Sequence, residues 1–349
     1  TGNTPSSQAV TGVGFEPELL WLKSRSATSG HIVQDSARGA TKRLETNSTG
    51  QEVTDATYVA SFDSDGFTVG TNTDTNASGG TFVAWNWKAG GAPTADNSAG
   101  AGATPTAGSV KIDGSNLGSA LAGSIAATRL SANTTAGFSI VTWTGNLTSG
   151  ATVAHGLSQK PNLIIVKVRN ASRNWGIGSD YLTGSSWEKY LQFTTGDELD
   201  NVNMFNDTAP TSTLFTIGNN TDINGNDDTY VGYCFHSVEG YSKIFSFTGN
   251  NNADGPFLYT GFKPAVVIGK CIGASGGWEI IDSARNTYNV AGASLYPNTN
   301  AAESVSTTTG LDFLSNGIKV RTTSGSYNQS DTMLAIAFAE SPFKYSNAR

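Results

Sequence analysis

The segments Asp35-Ser36-Ala37-Arg38 and Asp282-Ser283-Ala284-Arg285 hold the carboxylates best placed for chemistry. Cleaving a glycosidic bond takes two carboxyl groups at a defined separation, one protonated and one ionised. No second acid recurs at a fixed offset from Asp35 and Asp282, and each follows an apolar residue, Val33 or Ile280, by two positions. The pattern predicts a strand-ending turn closed by the Asp side chain, with an Asp–Arg ion pair three residues on, and no catalytic residue. Asp74-Thr75-Asn76-Ala77-Ser78-Gly79 opens with the oxygen spacing of a calcium loop, but the place of the closing bidentate Glu is taken by Trp85. In the matching stretch Asp222, Asn224, Asn226 and Asp228 are the candidate cation ligands, although a polar hairpin loop accounts for them better, and no cofactor is expected. His31, His155 and His236 stand in three unlike settings, which gives neither a metal set nor a Ser-His-Asp arrangement. Cys234 and Cys271 lie in or beside apolar strands and read as small buried residues.

Aromatic rings stack on sugar faces while neighbouring polar groups bond the hydroxyls. Trp175, Tyr181, Trp187 and Tyr190 are the candidate ligand-binding residues. Trp187 and Tyr190, in Ser185-Ser186-Trp187-Glu188-Lys189-Tyr190, are expected to be the exposed pair. Trp21, Trp85 and Trp143 read as core, and Trp85-Asn86-Trp87 puts both indoles on one face of a strand.

What positions these residues is a unit written three times. Gly14-Phe15-Glu16-Pro17 through Lys23 matches Gly261-Phe262-Lys263-Pro264 through Lys270, and Gly156-Leu157 followed by Pro161 through Lys167 is a looser copy. Pro precedes Lys by six residues in all three. A Thr-Gly-Asn turn stands upstream of each, at Thr1-Gly2-Asn3, Thr144-Gly145-Asn146 and Thr248-Gly249-Asn250. Downstream, Phe67 to Trp85, Phe215 to Tyr233 and Ile318 to Ile336 align without a gap. The units diverge most around Trp187, where recognition tends to sit on a repeated scaffold.

Runs such as Phe138-Ser139-Ile140-Val141-Thr142-Trp143 are β-branched and aromatic and end at Gly-Asn turns. The expected fold is all-β: three tandem β-sandwiches, jelly-roll-like, of about 90 residues each. The expected boundaries are 1–89 for the first unit, 90–136 for a Gly/Ala/Thr-rich linker, 137–239 for the second unit and 240–349 for the third. The linker predicts a mobile first unit. An aromatic strand precedes the Thr-Gly-Asn turn in units 2 and 3, whereas Thr1 lies within that turn. Unit 1 is therefore expected to lack its first strand and to present an unpaired edge, filled by an upstream segment or by another chain. The chain itself is expected to be the tail of a longer polypeptide or part of an assembly.

In 349 residues, 37% are apolar, 41 are Gly and 14% are charged, which excludes disorder of the whole chain. With 21 basic against 28 acidic side chains, the net charge of −7 argues against binding nucleic acid. No apolar run has the length of a membrane span, so no membrane insertion is expected.

Ala136-Gly137-Phe138 through Asn146, Asn206-Asp207-Thr208-Ala209-Pro210, Asp254-Gly255-Pro256-Phe257-Leu258-Tyr259-Thr260-Gly261-Phe262 and Ala339-Glu340-Ser341-Pro342-Phe343-Lys344-Tyr345 resemble a domain of unknown function from tail-fibre-like and other structural proteins of marine and cyanobacterial phages. The resemblance covers residues 106–349. It implies a virion component that displays β domains and supplies no catalytic residues. The expected role is a non-enzymatic tail fibre or adhesin, exposed on the particle and presenting those domains to a host-surface glycan or protein. The expected partners are other virion proteins and further copies of the chain, as a trimer. The alternative is a capsid decoration or filament subunit with a purely structural role.

Overall fold

The structure, a computed structural model, describes residues 1–184, 187–194 and 196–341. Ser185, Ser186 and the Pro342–Tyr345 end of the last motif lie outside them. The described chain is all-β apart from two single-turn helices. Unit 1 comprises β1 (Gln8–Thr11), β2 (Leu19–Ser24), β3 (Ile32–Asp35), β4 (Lys42–Glu45), β5 (Val53–Thr54), β6 (Val59–Asp63), β7 (Gly66–Val69), α1 (Thr73–Asn76) and β8 (Phe82–Trp87). Then come β9 (Val110–Ile112), β10 (Ser115–Asn116) and β11 (Ala127–Asn133). Unit 2 comprises β12 (Phe138–Thr144), β13 (Ala151–Ala154), β14 (Leu163–Val168), β15 (Trp175–Ser179), β16 (Lys189–Tyr190), β17 (Leu199–Asp200), β18 (Leu214–Ile217), α2 (Thr221–Asn224) and β19 (Thr229–Phe235). Unit 3 comprises β20 (Ser242–Thr248), β21 (Phe257–Tyr259), β22 (Pro264–Cys271), β23 (Trp278–Asp282), β24 (Ala293–Ser294), β25 (Ser304–Val305), β26 (Leu311–Leu314), β27 (Gly317–Val320) and β28 (Thr332–Ala339).

Each unit has one larger sheet, ordered β5-β4-β3-β2-β8, β10-β9-β11-β12-β19-β14-β15 and β20-β28-β22-β23. Against it lies a smaller one, β1-β7-β6, β13-β18 or β21-β27-β26. Leu20, Leu22, Phe67 and Val69 fill the space between the two sheets of unit 1; Val141, Trp143, Phe215 and Tyr230 do so in unit 2, and Val267, Ile281, Ile318 and Val320 in unit 3. The other face of each larger sheet is buried as well. Leu19, Trp21, Trp85 and Trp87 of unit 1 meet Phe138, Ile140, Tyr233 and Phe235 of unit 2 and Ile268, Ile336 and Phe338 of unit 3 in one central core. Apolar runs such as Leu163-Ile164-Ile165-Val166 follow from this, because a strand covered on both faces has no solvent side to alternate with.

The stretch 90–136 is more than the linker its composition suggests. β11 pairs antiparallel with β12 and parallel with β9, so the segment extends the sheet of unit 2. Its small residues serve close packing: a Cβ added to Gly90 would stand 2.3 Å from the Ala132 carbonyl oxygen. Unit 1 is correspondingly packed against both other units, in contrast to the mobile unit expected from a linker.

The three units form a closed ring. The residue before β5, Glu52, donates its main-chain N–H to the Arg169 carbonyl at 2.7 Å, tying unit 1 to unit 2. Glu198, before β17, does the same to Ile272 at 3.3 Å, and Glu303, before β25, to Arg25 at 2.9 Å. Unit 1 thus leans on 2, 2 on 3, and 3 on 1.

Candidate functional site

The repeated acids are structural at close range. Asp35 accepts from the Arg38 backbone N–H at 2.8 Å and from its Nε at 2.5 Å; Asp282 and Arg285 repeat this at 2.8 and 2.6 Å. Both the turn and the ion pair read from the sequence are present. The sequence does not show that each pair lies at a junction between units. Tyr233 of unit 2 donates its hydroxyl to Asp35 at 2.7 Å, and Trp85 of unit 1 donates its indole N–H to Asp282 at 3.2 Å. Glu52 bridges Arg38 and Arg169, and Glu303 bridges Arg285 and Arg25. Burial would raise both glutamates, but hydrogen bonds and charge from the two arginines hold them below the usual carboxylate range. At the third junction the aspartate, its arginine, the second arginine and the ring are replaced by Ser179, Leu182, Ile272 and Ile336, of which the last three join the apolar core. The aspartate and both arginines have been replaced together there, since losing one partner of a buried pair strands the other, whereas Glu198, in the place of Glu52 and Glu303, is kept and accepts from the Thr183 backbone N–H at 3.0 Å.

The lysines six residues after the repeated prolines are buried too. Lys23 donates to the Ser24 and Ala27 carbonyls, Lys167 to Thr49 and Arg173, and Lys270 to Cys271, Gly276 and Gly196. Burial lowers each from the ordinary 10.5 to about 8. Between those values the unfolded chain binds protons that the folded chain does not, so stability increases with pH and is lost as pH falls through about 8. The buried thiols of Cys234 and Cys271 and tyrosines such as Tyr233 are raised by burial and oppose the trend, the thiols from about pH 8.5 and the tyrosines above about pH 10, but two thiols only partly offset three lysines between pH 8 and 9.5. We expect the urea midpoint to climb between pH 8 and 9.5, and Lys270→Met to flatten the climb. A falling midpoint in that window would refute the assignment.

The candidate cation ligands belong to a polar staple. Asn224 is fully buried; it accepts from the Asn146 N–H at 2.9 Å and donates to the Gly218 and Thr148 carbonyls at 2.7 and 3.0 Å. Asn76 repeats this with Asn3, Gly70 and Ser6, and Asn328 with Asn250, Thr322 and Asn252. Asp222 lies in the first turn of α2, which Asn220 caps, Asp228 stands 3.5 Å from Arg173, and Asn226 bonds Asp227. The oxygens of Asp222, Asn224, Asn226 and Asp228 therefore do not converge as the calcium spacing suggests. The staple explains the three Thr-Gly-Asn turns. A gapless alignment places Tyr327 opposite Asn76 and Asn224, because the loop of unit 3 is one residue out of step, and this hides Asn328.

The candidate ligand-binding aromatics are not open to solvent, the pair Trp187 and Tyr190 expected to be exposed included. Trp175 is 1% exposed, Trp187 6% and Tyr190 7%, while Tyr181 is half-buried against the central core. The Trp175 indole donates to the Glu45 carbonyl of unit 1, and Trp187 donates to Asp180 at 2.9 Å. Trp187 lies over Gly178, where an added Cβ would meet its ring at 2.4 Å. Glycines inside a strand mark close approach by another group, and Trp175-Gly176-Ile177-Gly178 carries that signal.

A different aromatic surface is open. On β21, Phe257 is 48% exposed and Tyr259 60%, with Leu258 buried between them, so both rings stand on the outer face. Lys319 on β27 is directly opposite Phe257 and reaches Asp254 at 2.7 Å. Lys243 stands 5.2 Å from the Phe245 ring centre and 5.4 Å from that of Tyr259. Two flat apolar rings bordered by ammonium and carboxylate groups can stack on a pyranose and bond its hydroxyls. The alternation Phe257-Leu258-Tyr259 is the sequence signal for this surface.

The fold and its surfaces define a repeat-built all-β protein whose repeated polar residues hold units together. The chain belongs to the family of the domain of unknown function DUF7483, whose model matches residues 1–111 and again 109–342. The second match starts just before β9, in keeping with the pairing of β9 and β11 into the sheet of unit 2. No curated protein and no solved structure matches the chain.

Proposed function

We propose that the chain is a structural component of a phage virion, a tail fibre or related adhesin, that displays β domains for contact with a host-surface glycan or protein. The observation that carries this reading is the open pair Phe257 and Tyr259 on the smaller sheet of unit 3, flanked by Lys243, Lys319 and Asp254. The protein acts by binding and not by catalysis, since the repeated carboxylates of Asp35 and Asp282 are taken up by arginines. Its partners are other virion proteins and further copies of itself, as a trimer, and several weak sites on one particle give avidity. It works at the particle surface without a cofactor.

The test is adsorption. Phe257→Ala with Tyr259→Ala should lower adsorption of the protein to host cells at least tenfold while the unfolding midpoint stays within about 1 °C, because surface changes cost little. Unchanged adsorption would refute the site. A second reading, a capsid decoration or filament subunit, is favoured by the open sheet edge of unit 1. Regular tiling of the protein over a shell or shaft in electron micrographs, with a blank glycan array, would establish that reading instead.

A further inference from the structure

Among the described residues β8 ends its sheet, whereas its counterparts β19 and β28 lie inside theirs, flanked by β12 and β20. The Arg25 N–H bonds the Thr81 carbonyl at 2.8 Å, which fixes the register with β2. Alternation along an antiparallel pair then turns the main-chain groups of Phe82, Ala84 and Asn86 to the open side. Their counterparts Tyr230, Gly232 and Cys234 are paired with Trp143, Val141 and Ser139 of β12.

Beside this edge a groove of about 510 Å³ runs between the two sheets, lined by Val10, Leu22, Phe67, Val69, Phe82 and Ala84. Unit 2 shows what fills the matching space. Trp143 stacks on Tyr230, with ring centres 5.4 Å apart, and meets Phe215 edge-on at 5.6 Å. The counterparts of those two rings are Phe82 and Phe67. In unit 3, Phe245 and Phe247 of β20 pack on the matching core. Asn86, in the place of Cys234, has an Oδ1 shut from solvent with no partner among the described residues.

The approach to the groove is also formed. Gly2 donates to Gly80 at 3.0 Å as Gly145 does to Asp228 at 2.8 Å and Gly249 to Asp331 at 2.9 Å. The Asn3 N–H meets Asn76 as Asn146 meets Asn224. Thr1 therefore stands where Thr144 and Thr248 end the strand in the other units.

We propose that unit 1 is a strand acceptor: its groove takes an extended polypeptide strand with bulky apolar residues at two positions two apart, laid antiparallel on β8. Main-chain bonds to Phe82, Ala84 and Asn86 hold the strand, and its two bulky side chains fill the cavity over Phe67 and Phe82. The proposal stands on unit 1 alone and is independent of the aromatic face of unit 3.

The test uses the 349-residue chain and a fluorescent peptide carrying the β12 sequence, Phe138 to Thr144. The expected result is saturable one-to-one binding, with slowed amide hydrogen exchange at Phe82, Ala84 and Asn86. A peptide with Val141→Asp and Trp143→Asp should bind at least tenfold more weakly. Ala84→Phe in the protein, which plugs the groove, should abolish binding while near-ultraviolet circular dichroism is retained. If that variant does not fold, the charged peptide decides. No binding at 100 µM peptide, binding without protection of those three amides, or equal binding of the charged peptide would overturn the proposal. So would a peptide-resistant dimer paired through β8, which would make a second copy the occupant.

Discussion

Asp35→Ala should destabilise the protein by about 3–5 kcal/mol, the usual consequence of removing one partner from a buried ion pair. Both side chains are closed to solvent. Without Asp35, the Arg38 guanidinium keeps Glu52 at 3.0 Å but loses its closest carboxylate, and Tyr233 loses its acceptor. Tyr233→Phe alone should cost about 1 kcal/mol, as for one hydrogen bond. The double variant should cost less than the sum, because the groups form one network. Equilibrium urea unfolding gives these values. A loss below about 1 kcal/mol for Asp35→Ala would show that the charged junction contributes nothing net. Stranded charge would then no longer account for the joint change at Ser179, Leu182, Ile272 and Ile336.

Asn224→Ala is the second large effect, about 3 kcal/mol or more. It removes three hydrogen bonds and leaves the Gly218 carbonyl with no amide donor in a buried site, at about 1–3 kcal/mol for each stranded group. Asn224→Asp separates this staple from a cation site. A carboxylate still accepts from Asn146 but cannot donate to two carbonyls, so the aspartate variant should lose about as much as the alanine variant. If residues 222–228 held calcium, the added charge would instead stabilise the protein when calcium is supplied. The readout is the urea midpoint of each variant with and without 5 mM calcium or EDTA.

Much of this protein is legible because its determinants are local. Strand periodicity, Gly-Asn turns and the Asp-Ser-Ala-Arg turns act over a few residues, and repetition at fixed offsets makes each visible more than once. The Asp35 and Asp282 turns, and the burial of Trp21, Trp85 and Trp143, follow from such patterns. Asn328 is hidden by a one-residue slip within a polar loop, where composition carries no register.

The sequence by itself determined the repeated unit, its strands and its turns, since side-chain alternation and turn chemistry are properties of neighbouring residues. Tertiary structure alone decided which surface covers which. A strand such as Leu163–Val168 reads the same whether its second face meets a partner sheet of its own unit or those of two others. That is why the ring of units, the junction roles of Tyr233 and Trp85, and the burial of Trp187 over Gly178 appear only in three dimensions. Burial is settled by what folds over a residue, and those groups come from distant parts of the chain.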